Sequence, residues 1–376
     1  MTKMNSDRKK IALLMPFFGG SHRQWAEGWQ THSRHDIHLF TLPDRHWKWR
    51  MHGAAITLAR QLLSAGFLPD VIVTTDMLDV TVLSSLLRQS FPTTPIILYM
   101  HENQLTYPWS HTDPDTTLQR DRHYAFINYT SALAADSVWF NSHFHQKSFL
   151  SALPDFLRAF PDHQEMDTVT TIQRKSTVMP LGLHLQAMDK LTSEPVDRPN
   201  RAVLLWNHRW EYDKNPDDWY RWLVQLRQRG LEFKLVILGE QYGQYPPVFD
   251  QMQTTFAEDI LHFGYVESRD EYYRWLYRAD ILPVTSHHDF FGVSVVEAMY
   301  ANVIPVLPKR LAYPEHIPAA YHTAFFYENE KEGLNFLHRQ IMNVRLLRKQ
   351  RTDHFVDRYD WRHISPRYDA AIDELT

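Results

Sequence analysis

Short apolar runs alternate with helix-like segments twice along the chain, and this double alternation constrains the fold more than any other feature. The runs in the first half are IALLM at 11–15, IHLFT at 37–41, VIVTT at 71–75, PIILYM at 95–100 and SVWFN at 137–141. Those in the second half are AVLLW at 202–206, FKLVILG at 233–239, LHFGYV at 261–266, ILPVTS at 281–286 and VIPVLP at 303–308. Continuous apolar runs bounded by turn residues are typical of buried parallel strands joined by helices. The sequence therefore predicts an α/β protein with two doubly wound sheets.

The two series of runs are separated by the polar segment LTSEPVDRPN, which contains two prolines and resembles an exposed linker. A chain of 376 residues is also long for one hydrophobic core and suits two domains of ordinary size. We predict an N-terminal domain at 1–190, a linker at 191–200 and a C-terminal domain at 201–350. The remaining residues, 351–376, contain one late helical pattern and could pack back across the domains as a last helix.

Composition excludes several classes of protein. The chain has no cysteine, which removes disulfides, thiolate metal sites and cysteine nucleophiles and is consistent with a reducing, cytoplasmic location. No apolar run approaches the roughly 18 residues that span a bilayer, so stable membrane insertion is not expected. The formal charge of −4 means that any nucleic-acid surface must be a local patch. The 22 histidines are scattered, and no metal site is predicted from them.

Ligands of open α/β sheets bind beyond the carboxyl ends of the strands, so functional residues are expected in the loops that follow the predicted strands. After the first strand, Gly19 and Gly20 could let the backbone approach an anion, although a plain tight turn explains them equally well. After the fourth strand, four hydrogen-bonding side chains follow in a row. These are His101, Glu102, Asn103 and Gln104. They indicate a polar pocket, with a solvated loop as the alternative, and His101 is the best catalytic candidate of this half.

The second half carries a pair of cations and a pair of acids at strand ends. Arg209 and Lys214 lie between a strand and a helix start, where two cations could stabilise a leaving diphosphate; solvated surface cations are the alternative. In DFFGVSVVE, Asp289 and Glu297 flank Gly292, whose flexibility would let backbone N–H groups reach a sugar or phosphate. Glu297 could accept hydrogen bonds from ribose hydroxyls, and Asp289 could hold sugar hydroxyls.

Several segments together carry a family resemblance. They are FFGGSHRQW, TLPDRHWKWR, YMHENQLTYPW, FNSHF, NHRWEYDKNP, LGE, DFFGVSVVEA and LAYPE. The acidic pair, spaced by seven residues with Phe and Gly between, resembles the retaining enzymes of glycosyltransferase family four. The whole set resembles the tRNA-queuosine mannosyltransferase group. This resemblance implies the GT-B fold, two Rossmann-like domains facing a central cleft, with donor on the C-terminal domain and acceptor on the N-terminal domain.

The resemblance also implies an activity and a role for each residue. The expected reaction is metal-independent transfer of mannose from GDP-mannose to queuosine in a tRNA anticodon, a hexosyltransferase reaction that retains configuration. The implied catalytic residues are His101, Asp289, Arg209 and Lys214, with His101 lining the reacting centre and the two cations gripping the diphosphate. The other implied donor contacts are Glu297 on the ribose, Glu240 near the nucleoside, and the backbone of Phe291, Gly292 and Val293 on the sugar. The chain departs from the family at Asp289, where Glu is usual, so that sugar contact is one methylene shorter.

The acceptor is expected to contact the loop residues Glu102, Asn103 and Gln104 and the segment DRHWKWRMH at 44–52. That segment interleaves cations with indole rings, a composition suited to RNA phosphates and bases. Its candidate residues are Arg45, Trp47, Lys48, Trp49 and Arg50. Alternatively, both tryptophans pack inward and the cations face water.

Two other functions compete with this interpretation. The same patch could serve an anionic lipid, in which case the chain would glycosylate a lipid or cell-envelope saccharide. A non-catalytic nucleic-acid-binding protein that keeps a relic donor site is the second alternative. The pattern leaves open the sugar, the nucleotide base, the oligomeric state and any protein partner.

Overall fold

The computed structural model describes residues 8–110, 113–117, 121–239 and 245–376. The described chain divides into two compact units. Unit 1 consists of the residues up to Leu183 together with Tyr359–Thr376, and unit 2 consists of His184–Arg358. None of the described helices combines the length and the apolar character that a membrane crossing requires.

Unit 1 is built on a six-stranded parallel sheet in the order β2-β1-β3-β4-β5-β6. Its strands are β1 (Lys10–Phe18), β2 (Asp36–Pro43), β3 (Val71–Thr75), β4 (Ile96–Met100), β5 (Ser137–Phe140) and β6 (Ser176–Val178). Its helices are α1 (Gly20–His32), α2 (Trp47–Ser64), α3 (Val80–Leu87), α4 (Pro114–Thr117), α5 (Asp121–Ala134), α6 (His143–Arg158), α7 (Asp167–Arg174) and the C-terminal α16 (Trp361–Leu375). The central strands β3 and β4 are buried along their whole length, as their continuous apolar runs predicted.

Unit 2 repeats this plan with a six-stranded parallel sheet in the order β12-β11-β10-β7-β8-β9. Its strands are β7 (Ala202–Trp206), β8 (Phe233–Leu238), β9 (Ile260–Gly264), β10 (Ile281–Pro283), β11 (Ile304–Pro308) and β12 (Phe326–Tyr327). Its α-helices are α8 (Pro216–Gln228), α9 (Val248–Thr255), α10 (Arg269–Arg278), α11 (Val293–Tyr300), α12 (Tyr313–His316), α13 (Glu330–Met342), α14 (Val344–Leu347) and α15 (Asp353–Val356). Short 3₁₀ helices cover Gln186–Leu191, Tyr212–Lys214, Ala319–Ala324 and Asp357–Tyr359. The predicted fold class, two parallel α/β sheets, is confirmed.

Helix α8 shows how local sequence fixes an element that leads into the site. Asn215 adopts a left-handed backbone conformation with φ of 55°, and its side chain accepts a hydrogen bond from the Asp218 N–H. Pro216 follows at the first helical position, where its missing N–H costs no hydrogen bond. Trp219 and Trp222 are buried on the inner face of the helix. The cap and the buried face hold the segment before α8, which carries Lys214, in a fixed place.

The boundary between the units differs from the predicted linker at 191–200. The division falls after Leu183, and the polar segment belongs to unit 2. Leu191 and the preceding Met188 are buried, and the Arg198 guanidinium donates to the Tyr277 carbonyl oxygen. Prolines and polar residues suggested an exposed linker, but two apolar anchors and an arginine attach the segment to one unit.

The last helix belongs to unit 1 and starts later than the predicted tail, since residues 351–358 remain in unit 2. Trp361 is buried between Gly28 and Gly182, where a Cβ on either glycine would collide with the indole ring. The Tyr368 hydroxyl accepts a hydrogen bond from Trp25 Nε1 at 3.1 Å and donates to the Pro180 carbonyl oxygen at 2.8 Å. The C-terminus therefore completes the core of the N-terminal unit.

Candidate active site

In unit 2 the segments that follow β7 and β10 gather at the carboxyl edge of the sheet, next to the first turn of α11. Gly239 ends β8 with φ of 132°, a conformation that L side chains rarely adopt. A Cβ at Gly239 would collide with the His208 carbonyl oxygen, so glycine is required where the chain leaves β8 beside the loop after β7. The chemistry-bearing residues of this unit lie at this edge, as the strand-end rule predicts.

Lys214 is a buried cation at the centre of this edge, with its side chain only 8% exposed. Its Nζ donates to the His288 carbonyl oxygen at 2.7 Å and lies 3.1 Å from Asp213 Oδ2 and 3.3 Å from Asp289 Oδ1. Burial by itself lowers the pKa of Lys214, but the two carboxylates outweigh it, and the pKa lies above its ordinary value. The ammonium group is therefore charged and held by three oxygens.

Asp289, the first predicted acid, is brought into direct contact with Lys214. Its second oxygen accepts a hydrogen bond from the Tyr313 hydroxyl at 2.8 Å. Burial raises the pKa of Asp289, yet Lys214, His208 and the Tyr313 hydrogen bond outweigh burial and leave the pKa below its ordinary value. Asp289 is thus an ionised carboxylate whose orientation is fixed from two sides.

Arg209, the other predicted cation, differs from Lys214 in exposure. Its guanidinium is 46% exposed, and its Nη2 lies 3.2 Å from Glu211 Oε2. Burial raises the pKa of Glu211, although Arg209 acts in the opposite direction. Arg209 can therefore turn toward an incoming anion at little cost, whereas Lys214 is fixed by the fold.

The loop before α11 places the N-terminus of that helix close to Asp289 in the chain. Gly292 caps the helix with φ of 87°, and a Cβ there would lie 3.0 Å from a Tyr313 ring carbon. His316 Nε2 lies 2.6 Å from the Phe291 carbonyl oxygen, and this hydrogen bond holds the loop in place. Burial lowers the pKa of His316 to about 4, so the imidazole is neutral. The first turn of α11, which begins at Val293, has N–H groups without intrahelical acceptors and favours an anion.

Glu297, the second predicted acid, lies within α11 and is held by residues from α10. Its Oε1 accepts from Arg269 Nη2 at 2.9 Å, and its Oε2 accepts from the Tyr272 hydroxyl at 2.9 Å. Asn207 Nδ2 donates to the Tyr272 hydroxyl at 3.2 Å, extending the network to the end of β7. A carboxylate offers about four lone-pair sites, so Glu297 keeps acceptor capacity for vicinal hydroxyls.

His208 is a further buried group at this edge that was not predicted. Its Nδ1 lies 2.8 Å from Ser294 Oγ, in the first turn of α11. Burial lowers the pKa of His208 to about 4, so the ring is neutral. Glu240, the predicted nucleoside contact, lies outside the described residues. Among the described residues, no three His, Asp or Glu side chains form a group that could hold a metal ion, and metal independence stays a prediction.

In unit 1, His101 lies at the end of β4 among aromatic rings. Its ring centroid lies 4.3 Å from that of His22, 4.7 Å from Trp25 and 4.7 Å from Tyr99. Burial lowers the pKa of His101 well below its ordinary value, and His22 and His145 lower it further. The imidazole is therefore neutral near neutral pH and can exchange hydrogen bonds without carrying a permanent charge.

Three buried side chains hold the backbone of the loop that carries His101. Asp76 Oδ1 accepts from the His101 N–H at 2.8 Å, and Asn141 Nδ2 donates to the His101 carbonyl oxygen at 2.8 Å. Asn128 connects Asp76 to the loop, because its side chain donates to the Asp76 carbonyl oxygen and accepts from the Gln104 N–H. Burial and the nearby carboxylate of Glu102 raise the pKa of Asp76 well above its ordinary value.

The other predicted residues of this loop hydrogen-bond to one another. Gln104 Nε2 donates to Glu102 Oε1 at 2.8 Å, and Asn103 Oδ1 accepts from the Thr106 N–H at 2.9 Å. Asn103 is buried and acts on the loop's own turn, while Glu102 is only partly buried. The predicted polar pocket is therefore a loop held by its own hydrogen bonds. Its acidic residue, Glu102, remains partly exposed.

The glycine turn at the start of α1 has an unexpected neighbour. A Cβ on Gly19 would collide with the carboxylate of Asp44, which follows β2. Gly20 has φ of 49° and open space around it. Close packing against Asp44 requires glycine at position 19, and the positive φ favours glycine at position 20. A donor contact at Gly19 and Gly20 stays a prediction.

The residues of the predicted RNA patch have different surroundings in the structure. Lys48 Nζ lies 2.7 Å from Asp113 Oδ1 and 2.5 Å from Asp115 Oδ2, so its charge is already compensated. Burial lowers the pKa of Lys48, but its two carboxylates outweigh burial, and the pKa lies above its ordinary value. Trp47 packs against Trp109 and Tyr124 at centroid distances of 6.0 and 5.1 Å. One tryptophan and one cation of the patch therefore serve the structure of unit 1.

The remaining residues of the patch are accessible to different degrees. Arg45 is exposed, and Trp49 is 64% exposed at the start of α2. Arg50 Nη2 donates to the Pro43 carbonyl oxygen at 3.2 Å, which ties it to its own loop. Both alternatives raised by the sequence are thus realised in part: Trp47 turns inward and Trp49 outward.

Sequence reasoning missed several residues of both sites for different reasons. Asp76 comes directly after a predicted strand, so the strand-end rule could have found it. Asp213 is adjacent to Lys214 in sequence, and only the buried geometry shows its importance. Arg269 and Tyr272 reach Glu297 from α10 by tertiary packing, and no local pattern marks them.

Comparison with known proteins defines the class first. Residues 189–353 match the family model described as glycosyl transferases group 1. Sucrose-phosphate synthase from Thermosynechococcus elongatus superposes with a TM-score of 0.71 at 13% identity, over 98% of this chain and 99% of that one. Anabaena HepE in complex with UDP superposes with a TM-score of 0.63 at 14% identity, over 97% of this chain and 100% of that one. The fold is that of the GT-B glycosyltransferases, and unit 2 carries a glycosyl transferase domain.

The sequence comparisons then define the family. Residues 10–183 match the model for the N-terminal part of tRNA-queuosine alpha-mannosyltransferase, and this range ends where unit 1 gives way to unit 2. The tRNA-queuosine alpha-mannosyltransferase of Drosophila melanogaster is 33% identical over 381 residues, covering 97% of each chain. The chain belongs to the tRNA-queuosine alpha-mannosyltransferase family, and the resemblance seen in its motifs is confirmed.

Proposed function

We propose that the chain transfers mannose from GDP-mannose to queuosine in the anticodon of a tRNA. The observation that carries this proposal is the near full-length similarity to the Drosophila enzyme, which covers both units. If the similarity were restricted to unit 2, it would support a sugar-nucleotide donor but would say nothing about the acceptor. Because unit 1 matches as well, the acceptor side is part of the resemblance.

A second relative bears on the donor. A GDP-mannose:cellobiosyl-diphosphopolyprenol alpha-mannosyltransferase of Xanthomonas oryzae is 23% identical over 198 residues, half of each chain. Its acceptor differs from that of the Drosophila enzyme, while both enzymes transfer an alpha-mannosyl group. A lipid-linked acceptor for this chain is less well supported, because that match covers only half of it. Both relatives are named as alpha-mannosyltransferases, which supports mannose as the transferred sugar. The second relative is also named for GDP-mannose, which supports GDP as the nucleotide that carries the sugar.

The geometry of unit 2 supports a division of labour on the donor. Arg209 and Lys214 would stabilise the diphosphate as its charge rises, together with the N–H groups at the start of α11. Glu297 would accept hydrogen bonds from the ribose hydroxyls, and Asp289 would orient the sugar from its fixed position beside Lys214. Glu240 stays a predicted contact of the nucleoside.

In the proposed reaction the bond between the sugar C1 and the diphosphate oxygen breaks, and a bond forms between C1 and an acceptor hydroxyl oxygen. The hydroxyl proton passes to a phosphate oxygen of the departing GDP, so that atoms and charge balance without a protein nucleophile. Retention of configuration follows if attack and departure share one face of the sugar. The neutral His101 would hydrogen-bond at the reacting centre, held by Asp76 and Asn141. Cations on the protein would replace a metal ion, and the reaction would take place in the cytoplasm.

The proposal is tested by nucleoside mass spectrometry of tRNA from cells with and without the gene. We expect mannosyl-queuosine in the presence of the gene and unmodified queuosine in its absence. Restoring the gene with Arg209→Ala should give little mannosylation, since that variant keeps the fold and loses a diphosphate contact. Identical nucleosides in cells with and without the gene would contradict the proposal.

A further inference from the structure

Helix α2 presents an exposed face without acidic residues. No Asp or Glu occurs from Arg45 to Pro69. The inner face of α2 is buried in unit 1 through residues such as Met51 and Leu58. The outer face carries exposed residues at helical spacing along one side. They are Trp49, His52, Ile56, Arg60 and Leu63.

The indole of Trp49 rests on a glycine of the same helix. A Cβ at Gly53 would lie 2.9 Å from Trp49 Cε2, 3.0 Å from Cζ2 and 3.2 Å from Nε1. Gly53 has no positive φ and lies in the interior of an 18-residue helix, where alanine fits the backbone without strain. The only use of glycine seen here is therefore to let the indole lie against the helix.

This arrangement is not explained by stability. Glycine in a helix interior costs about 1 kcal/mol relative to alanine. The Trp49 ring that rests on Gly53 is 64% exposed, so burial of this ring contributes little stability to offset that cost. Trp47, two residues earlier, shows the opposite behaviour, because it packs against Trp109 and Tyr124. A fixed indole with a free surface at this place suggests a ligand that covers it.

Two cations of this segment differ from Lys48 in their surroundings. Arg45 and Arg60 are exposed, and neither side chain has an ion pair or a hydrogen bond to any described residue. They differ in this from Lys48, which is held by Asp113 and Asp115. Arg60 lies eleven residues beyond Trp49, about 16 Å along the helix axis. An anionic chain that passes along α2 would meet a cation on either side of the indole.

We propose that Trp49, seated on Gly53, is a stacking platform for an unpaired base of the tRNA acceptor, with Arg45 and Arg60 binding phosphates on either side. This inference rests on the proposed function, since it takes tRNA as the acceptor. Single-stranded RNA is recognised by aromatic side chains that stack on bases and by cations that bind the backbone. The outer face also carries the apolar Ile56 and Leu63, so an anionic membrane is the competing ligand. RNA is favoured because an indole seated between two cations is the arrangement that stacks a base and binds the flanking phosphates.

The test measures the affinity of the full-length protein for a fluorescent RNA stem-loop with the anticodon sequence of a queuosine tRNA. Trp49→Ala should weaken binding about tenfold or more, because stacking of one base contributes about 1 to 3 kcal/mol. Trp49→Phe should recover part of the affinity. Tyr265→Ala, which removes an aromatic side chain 61% exposed on unit 2, is the matched control and should bind as wild type.

Gly53→Ala separates a binding role from a structural one. The added methyl displaces the indole while improving helix propensity, so the variant should bind RNA more weakly and melt at or above the wild-type temperature. The double variant Arg45→Ala with Arg60→Ala should weaken binding and reduce the slope of log affinity against log salt by about two charges. GDP binding should be unchanged in all of these variants.

The outcomes distinguish this inference from the proposed function. If wild type binds the stem-loop and both Trp49→Ala and Gly53→Ala bind it equally well, the platform is wrong while tRNA remains the acceptor. If wild type binds no RNA, the acceptor of the proposed function fails and the platform fails with it. If these variants lose binding to vesicles of anionic phospholipid and keep RNA binding, the surface serves a membrane and the inference is overturned.

Discussion

Replacing Lys214 by methionine should destabilise unit 2 as well as slow transfer. The substitution leaves Asp213 and Asp289 buried without the ammonium group that lies 3.1 and 3.3 Å from them. At an effective dielectric constant of about 20, each contact corresponds to an attraction of about 5 kcal/mol. Burying the lysine offsets much of this, and removing one partner of a buried ion pair costs about 3 to 5 kcal/mol net.

Thermal and urea denaturation measure this effect directly. For a unit of this size a loss of about 3 to 5 kcal/mol lowers the melting temperature by roughly 6 to 20 °C. Arg209→Met is the matched control, because its guanidinium is 46% exposed and its pairing with Glu211 contributes about 1 kcal/mol or less. Both variants should lose about a hundredfold in turnover when assayed below their melting temperatures.

A second variant decides whether charge is the cause. Adding Asp213→Asn to Lys214→Met removes one of the two uncompensated carboxylates and should restore part of the lost stability. A Lys214→Met protein that melts within about 2 °C of wild type would refute the buried triad of Lys214, Asp213 and Asp289. Equal destabilisation by Arg209→Met would refute the distinction between the two cations.

Three further predictions concern unit 2. Glu297→Gln should weaken GDP binding about tenfold or more, because charge-assisted hydrogen bonds contribute about 1.5 to 3 kcal/mol; calorimetry that finds an unchanged affinity would contradict a ribose contact. Asp289→Asn should lower turnover more than GDP affinity, and equal losses in kinetics and calorimetry would remove its role on the sugar. The pKa values of His208, His288 and His316 are lowered to about 4, so the unfolded chain takes up protons at higher pH than the folded one. Stability should therefore be full above about pH 6.5 and fall toward pH 4, by on the order of 3 kcal/mol for each histidine, and a flat urea-denaturation profile over that range would contradict it.

The sequence predicted the sheets well because their central strands are continuous apolar runs. The predicted runs 71–75 and 202–206 coincide with β3 and β7. The edge strands β6 and β12 were missed because they contain only three and two residues, too few for a periodic signal. The domain boundary was misplaced because polar composition does not show which side chains anchor a segment.

The candidate site was predictable where chain order places residues at strand ends. This rule found Lys214, Asp289 and His101, and it could have found Asp76. It could not show that Lys48 pairs with Asp113 and Asp115, which lie 65 and 67 residues away. It also could not distinguish a buried Lys214 from a half-exposed Arg209, because exposure is a property of the packed fold.

The central claim is the identity of the reaction, and reconstitution with purified components tests it most directly. Purified protein is incubated with GDP-mannose and a queuosine-containing tRNA, and the digested nucleosides are analysed by mass spectrometry. We expect queuosine bearing one hexose, no product on a matched tRNA with guanosine at that position, and little product with UDP-glucose as donor. Unmodified queuosine after prolonged incubation, with a protein that binds GDP and is fully folded, would contradict the proposed acceptor.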